Sequence, residues 1–269
     1  NRLSFAFALA LGIPAVAGAQ AVSPYLFGQN YWMEQGTEGG RPGYLHRLWP
    51  RVAESGVRLI RIGGNGYEHG FPDEKRLVAM IAAVRAAGAE PLLQVPSRLG
   101  AAEAEALVRR LNASPATRVR FWSIGNEPLL RKPDIIREVH AYLMRIAPAM
   151  KKADPTIAIF VFDECEMRAP AFEALCGGTL DITGRNPDGT WIVDGFTFHR
   201  YPFGREFSRD DVVVRGAADI RKGATELVAM MARADQKHGR TGDARLKWGL
   251  TEANVTWANP DRRVEGFGN

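Results

Sequence analysis

The chain has 269 residues, 46% of them hydrophobic and 24% charged, with a formal net charge of +5 and a pI near 9.4. That balance belongs to a folded globular protein of one large or two small domains, and it excludes a disordered or low-complexity chain. Lys and Arg are dispersed rather than gathered into a basic run, so the excess charge reads as a solvated surface and not as a nucleic-acid-binding face.

In chain order, the first signal stands apart from the fold. Arg2 precedes an apolar stretch over residues 3–16, followed by Ala17-Gly18-Ala19 and Gln20. A positive start, a short apolar segment and an A-x-A site predict a secretory signal peptide over residues 1–19, cleaved after Ala19. The stretch is too short for a membrane span. The expected location is secreted or periplasmic, with no membrane attachment after cleavage. The first residue is not Met, so the sequence is expected to begin inside its open reading frame. Residues 20–269 show no repeat, low-complexity tract or linker and read as one domain.

Within that domain, apolar runs alternate with helical patterns. Residues 25–30 predict a first strand ending at Asn30-Tyr31-Trp32. A Gly-rich loop over 36–43 leads to a helix over 46–55, closed by Gly56, and residues 57–62 alternate into a second strand ending at Gly63-Gly64. A helix over 73–87 stops at Gly88, residues 91–95 make a third strand, and 101–111 is an Ala/Glu/Leu helix. The run 119–125 is a fourth strand. Pro128 is expected to end its ladder, leaving Asn126 and Glu127 at the strand's C-terminal mouth.

A helix over 133–153 follows, with Pro133 at its first position. Residues 156–162 are a continuous apolar strand ending at Asp163-Glu164, and Asn186-Pro187-Asp188-Gly189 is a turn. A sixth strand over 193–198, a helix over 211–237 and a seventh strand over 246–251 complete the series. The two cysteines, Cys165 and Cys176, fit either one bridge or two free thiols.

Strands alternating with helices imply right-handed βαβ units and a parallel sheet. Seven such units in a row favour a (β/α)8 TIM barrel over an open doubly wound sheet. Residues 253–269 read as a loop, so the eighth βα unit is missing from this chain, and the native protein is expected to continue beyond it.

Polar residues gather at the predicted strand ends: Asn30, Arg61, Asn126-Glu127, Asp163, His199 with Tyr201, and Glu252. In a barrel these ends converge on one face, where catalytic groups of such enzymes sit. Glu127 and Glu252 can therefore meet across the mouth, as glycoside hydrolysis requires of its protonated acid and its ionised partner. Arg61 and Tyr201 are placed to keep Glu252 ionised. Arg61 also fits a buried ion pair, and His199 a satisfied core histidine. Tyr31, Trp32, Tyr67 and Trp257 follow strand ends, where they suit either sugar stacking or packing. Gly63-Gly64-Asn65-Gly66 lacks the Lys and glycine spacing of a phosphate loop. The five histidines lack metal-ligand spacing, and Asn186 to Gly189 lacks the acidic ligands of a calcium loop. No metal or cofactor is expected, and the oligomeric state is left open.

Asn126-Glu127-Pro128, His199-Arg200-Tyr201 and Thr251-Glu252 together resemble the clan A retaining glycoside hydrolases, the group of cellulases, mannanases, arabinofuranosidases and heparanase-like enzymes. Ile62-Gly63-Gly64-Asn65 is similar to the arabinofuranosidase and heparanase branch, whereas Thr251-Glu252-Ala253-Asn254 is similar to endoglucanases and xyloglucanases. The resemblance implies a (β/α)8 barrel, a carbohydrate substrate, Glu127 as acid/base and Glu252 as nucleophile. It further implies that Asn126 bonds the sugar 2-hydroxyl, that Arg61 and Tyr201 contact the nucleophile, and that His199 lines the reactive subsite. Asn30, Trp32 and Trp257 complete the expected substrate-binding set. The alternative is a non-catalytic carbohydrate-binding barrel.

Overall fold

The computed structural model describes residues 23–31, 45–204 and 208–257. The predicted signal peptide, the Gly-rich loop, Trp32 and the last twelve residues lie outside the described residues. The elements run β1 (Gly28–Tyr31), α1 (Leu45–Glu54), β2 (Leu59–Ile62), α2 (Asn65–His69), α3 (Glu74–Ala86), β3 (Glu90–Val95) and α4 (Ala101–Asn112). They continue with β4 (Phe121–Ile124), α5 (Ile136–Ala153), β5 (Ala158–Glu164), α6 (Ala169–Leu175) and β6 (Gly195–Arg200). The last are α7 (Arg209–Asp211), a π-helical turn (Val212–Gly216), α8 (Ala217–His238) and β7 (Lys247–Ala253). Among the described residues no helix is long and apolar enough to cross a membrane.

The seven strands pair in chain order, every pair parallel. β1 and β7 come back towards each other, so the sheet is a nearly closed barrel. Strand periodicity sorts the side chains. Ile60, Ile62, Leu93, Val95, Trp122, Ile124, Ile159, Val161, Phe196 and Phe198 face outwards, into the apolar layer shared with Leu77, Ile81, Leu107, Leu143, Ile146 and Leu227 of the helices. Residues of opposite parity point into the barrel. At its lower end Tyr25 meets Phe121 edge-on at 5.0 Å, and Phe121 lies 6.2 Å from Phe160. Polar side chains fill the upper end.

Gly195 makes this interior possible. A Cβ built there would stand 2.1 Å from the Lys247 carbonyl oxygen and 2.9 Å from the Phe160 ring. Gly195→Ala is therefore expected to cost several kcal/mol, beyond the ~1–3 kcal/mol of ordinary overpacking, because backbone must move. Urea unfolding measures this, and a loss under 1 kcal/mol would contradict the close approach.

Two irregularities aim the upper layer. Between Val161 and Glu164 the β5–β6 register shifts, and Phe162 (φ 90°) and Asp163 (φ 37°) adopt left-handed backbone. Between Phe198 and His199 the β6–β7 register shifts by one residue on β7. Such bulges redirect side chains, here turning Asp163 and both Thr251 and Glu252 towards the same space.

Three expectations change. Pro128 does not end the fourth strand: the ladder stops at Ile124, and Gly125 already turns away with φ 78°. Pro133 is not the first residue of its helix, which starts at Ile136; upstream, the Leu129 amide is claimed by Glu164 Oε2 at 2.9 Å. The helix expected over 211–237 is broken by the π-helical turn. The predicted turn at 186–189 is present, with the Gly189 amide on the Asn186 carbonyl at 2.9 Å. Cys165 and Cys176 are free thiols, both pushed up to about 12 by burial first.

Candidate active site

Arg61 is the centre of the barrel mouth. It leaves β2 on the inward face, and its guanidinium is 3% exposed. Nη1 donates to Glu252 Oε1 at 2.6 Å. Nη2 donates to Asn126 Oδ1 at 2.6 Å, Asp163 Oδ2 at 3.0 Å and Gln94 Oε1 at 3.2 Å. One cation thus organises groups from four strands or strand ends. Burial pulls its acidity the other way, but the Asp163 and Glu252 charges outweigh it and keep Arg61 protonated.

Glu252 is clamped on both oxygens. Oε2 accepts from the Tyr201 hydroxyl at 2.8 Å, opposite the Arg61 contact on Oε1. Burial, then the Glu252 charge, pushes the Tyr201 phenol up, so Tyr201 remains a neutral donor. Glu127 has a different surrounding. Its backbone sits in the left-handed region (φ 44°), held by its amide donating to the Asp163 carbonyl at 2.9 Å. Such a conformation costs on the order of 1 kcal/mol and persists where neighbours over-determine it. Its Oε1 lies 2.8 Å from His199 Nδ1.

One oxygen of Glu127, one of Glu252 and a ring nitrogen of His199 all lie within 4.8 Å of one another. These three groups could each offer one ligand to a cation, among the described residues. A cation there would compete with the guanidinium 2.6 Å from Glu252.

The supporting contacts reach further out. Asn126 is oriented at both ends, since its Nδ2 donates to Asn65 Oδ1 at 3.1 Å while Arg61 holds its oxygen. Gln94 Oε1 also accepts from the Gly64 amide at 2.6 Å, and its Nε2 donates to Glu68 at 2.9 Å. Asp163 Oδ1 accepts from Thr197 and Thr251, each at 2.6 Å. Burial raises Asp163, but Arg61, His199 and the two hydroxyls hold it below the usual carboxylate range.

Arg61, Asn126, Glu127, His199, Tyr201 and Glu252, all singled out from the sequence, therefore come together. Asn30 points to the same interior, in register with Arg61, and its Oδ1 is buried without a hydrogen-bond partner among the described residues. Trp257 is 61% exposed and takes no part in the hydrogen bonds around the two glutamates. Trp32 is outside the described residues. Tyr67 is fully buried against Phe71, and Tyr31 packs edge-on to Trp49, so both are packing aromatics. Sequence reasoning missed Gln94, Asn65 and Thr197, and gave Asp163 no role. Gln94 carried a signal, a lone amide inside the apolar run of the third strand.

No protein-family model matches the chain, and no curated protein matches it. Solved structures do. The family 51 α-L-arabinofuranosidase AbfB from Bifidobacterium longum is similar with a TM-score of 0.63 at 16% identity, covering 88% of this chain and 57% of its own. The α-L-arabinofuranosidase from Thermotoga maritima gives 0.57 at 17% identity, covering 80% and 49%. A monomeric β-xylosidase from Caulobacter crescentus gives 0.58 at 17% identity, covering 87% and 53%. This chain spans about half the length of those structures. At these identities the shared property is the fold, and the fold of this chain is the parallel (β/α) barrel on which those three glycoside hydrolases are built.

Proposed function

We propose that the chain is the catalytic barrel of a retaining glycoside hydrolase, with Glu252 as nucleophile and Glu127 as acid/base. The observation that carries the reading is the unequal treatment of two carboxylates within 4.8 Å of each other. One oxygen of each glutamate within 4.8 Å of the other puts the pair on the side of the roughly 5–5.5 Å of retaining enzymes, short of the roughly 6.5–9.5 Å that leaves room for a water in inverting ones. Glu252, clamped by a cation and a phenol, is the carboxylate placed to attack the anomeric carbon. Glu127, whose close partner is His199, gives its proton to the leaving oxygen. Water then loses a proton to Glu127, its hydroxyl adds to the anomeric carbon, and the bond to Glu252 breaks. Asn126, fixed by Arg61 and Asn65, keeps an amide hydrogen for a sugar hydroxyl. The substrate is a polysaccharide or its oligosaccharides, and the names of the similar structures put arabinofuranosides and xylosides first. The sequence pattern over residues 1–19 supports export.

A panel of aryl α-L-arabinofuranosides, β-D-xylosides and β-D-glucosides tests the reading, with proton NMR identifying the first anomer released. Turnover with retention is expected. Inversion would overturn the mechanism, and binding without turnover on any substrate would favour the carbohydrate-binding alternative. On the substrate that is cleaved, Tyr201→Phe should lower kcat by about one to two orders of magnitude, since a hydrogen bond to a charged group is worth roughly 1.5–3 kcal/mol. An unchanged kcat would remove Tyr201 from the clamp.

A further inference from the structure

Gln94 is completely buried inside the barrel, and the two ends of its side-chain amide meet opposite kinds of partner. Oε1 accepts from the Gly64 amide at 2.6 Å and from Arg61 Nη2 at 3.2 Å. Nε2 donates to Glu68 Oε1 at 2.9 Å. An amide turned over would set its NH2 group against a guanidinium and a backbone N–H, and its carbonyl against a carboxylate, so one orientation fits. Glu68 holds that orientation from α2. Its other oxygen is anchored just past the end of β3, where Oε2 accepts from the Ser97 backbone amide at 3.1 Å and the Ser97 hydroxyl at 2.8 Å. The turn into α2 lies directly on this amide: a Cβ at Gly63 would stand 2.6 Å from Gln94 Oε1 and 3.2 Å from Arg61 Cζ. Asn65, the first residue of α2, accepts from Asn126 Nδ2 at 3.1 Å. A reversed Gln94 would therefore disturb Arg61 and the turn carrying Asn65 together.

We propose that Glu68 is a positioning residue of the barrel mouth, which acts through the Gln94 amide to keep one acceptor on both Arg61 and Gly64. The cation that binds Glu252 and the turn that steadies Asn126 are thereby held by a single side chain behind them. The effect of Glu68 on turnover rests on the glycosidase reading, whereas its hold on the Gln94 amide does not.

Glu68→Gln keeps the size of the side chain and turns one of its two acceptors into a donor. The Ser97 backbone N–H cannot turn away, so the new oxygen stays on Ser97 and the new NH2 group faces Gln94 Nε2. Gln94 then turns over. On the substrate that is cleaved, kcat/KM should fall about ten- to a hundredfold, the worth of one hydrogen bond to a charged group. In a Gln94→Met background no amide is left to turn, and the same substitution should cost less than about twofold. A strut acting through Ser97 alone takes no notice of Gln94, so equal losses in the two backgrounds overturn the proposal, as does no loss in the first. Independently, NMR of the deuterated protein reads the hydrogen bond itself. A coupling across it, from the Gly64 amide nitrogen to the Gln94 side-chain carbonyl carbon, is expected in the wild type and lost in Glu68→Gln. No coupling in the wild type, or one that survives the substitution, overturns the proposal. This measurement needs no substrate, so a chain without glycosidase activity would sink the functional reading while the coupling still decided this one.

Discussion

Replacing Glu252 with alanine is expected to lower kcat by ~10⁴–10⁶-fold, the range seen when a covalent nucleophile is removed. Replacing Glu127 with alanine should cost less, ~10²–10⁴-fold, because general acid–base catalysis supplies that much, and less still for an aryl glycoside whose leaving group needs little protonation. Azide separates the two roles by stereochemistry. In Glu127→Ala it takes the place of water and attacks the glycosyl-enzyme, so the glycosyl azide keeps the substrate's anomeric configuration. In Glu252→Ala it attacks the substrate directly in one displacement, so the configuration inverts. The assignment depends on Arg61 and Tyr201 holding Glu252 rather than Glu127. Azide products of the opposite configurations would exchange the roles of the two residues. Glu127→Ala without rescue would remove it from the second step.

Much of this site was legible because barrel strands end where the apolar pattern ends. Asn126-Glu127 and Thr251-Glu252 each interrupt an apolar run, and the βαβ alternation sends both ends to one face. Strand order and parallel pairing followed from the same alternation. The role of Asp163 was hidden for a physical reason. It points inwards because Phe162 and Asp163 take left-handed backbone at a bulge; Asp tolerates positive φ, but Phe does not advertise it and the apolar run around it reads as regular strand. Thr251 reaches Asp163 through the second bulge, which shifts β7 by one residue against β6. A strict alternation would have placed Thr251 and Glu252 on opposite faces. Helix α2 escaped notice because Gly66 lies within it and Gly70 follows it, masking a short turn that buries Tyr67. Pro133 misled because an N1 preference is local, while the start of α5 follows a segment pinned from β5 by Glu164.

Arg61→Met should produce the largest loss of stability of any single substitution in the mouth. The side chain is nearly isosteric in its stem, so packing is little changed, but Asp163 (0% exposed) and Glu252 (6%) lose their common cation. Breaking a buried pair by removing one partner costs about 3–5 kcal/mol, because the surviving charge stays buried. For a chain of this size that corresponds to a fall in Tm on the order of 10 °C. The loss has a defined pH dependence. In the wild type Asp163 is held below its usual range, so its contribution is present above the unfolded carboxylate value near ~3.9 and fades as pH falls through the lower folded value. Without Arg61 the largest influence that offsets burial is gone, so the folded Asp163 is expected to titrate at higher pH than in the wild type. Protonation then stabilises the variant relative to the wild type as pH falls. The gap between wild type and Arg61→Met should be widest near pH 7 and narrow towards pH 5, and adding Asp163→Asn should recover part of it non-additively. Thermal unfolding followed by circular dichroism at the two pH values reads both effects. An equal gap at pH 7 and pH 5, or strict additivity with Asp163→Asn, would mean that Arg61 stabilises the barrel through packing and not through the charges it joins.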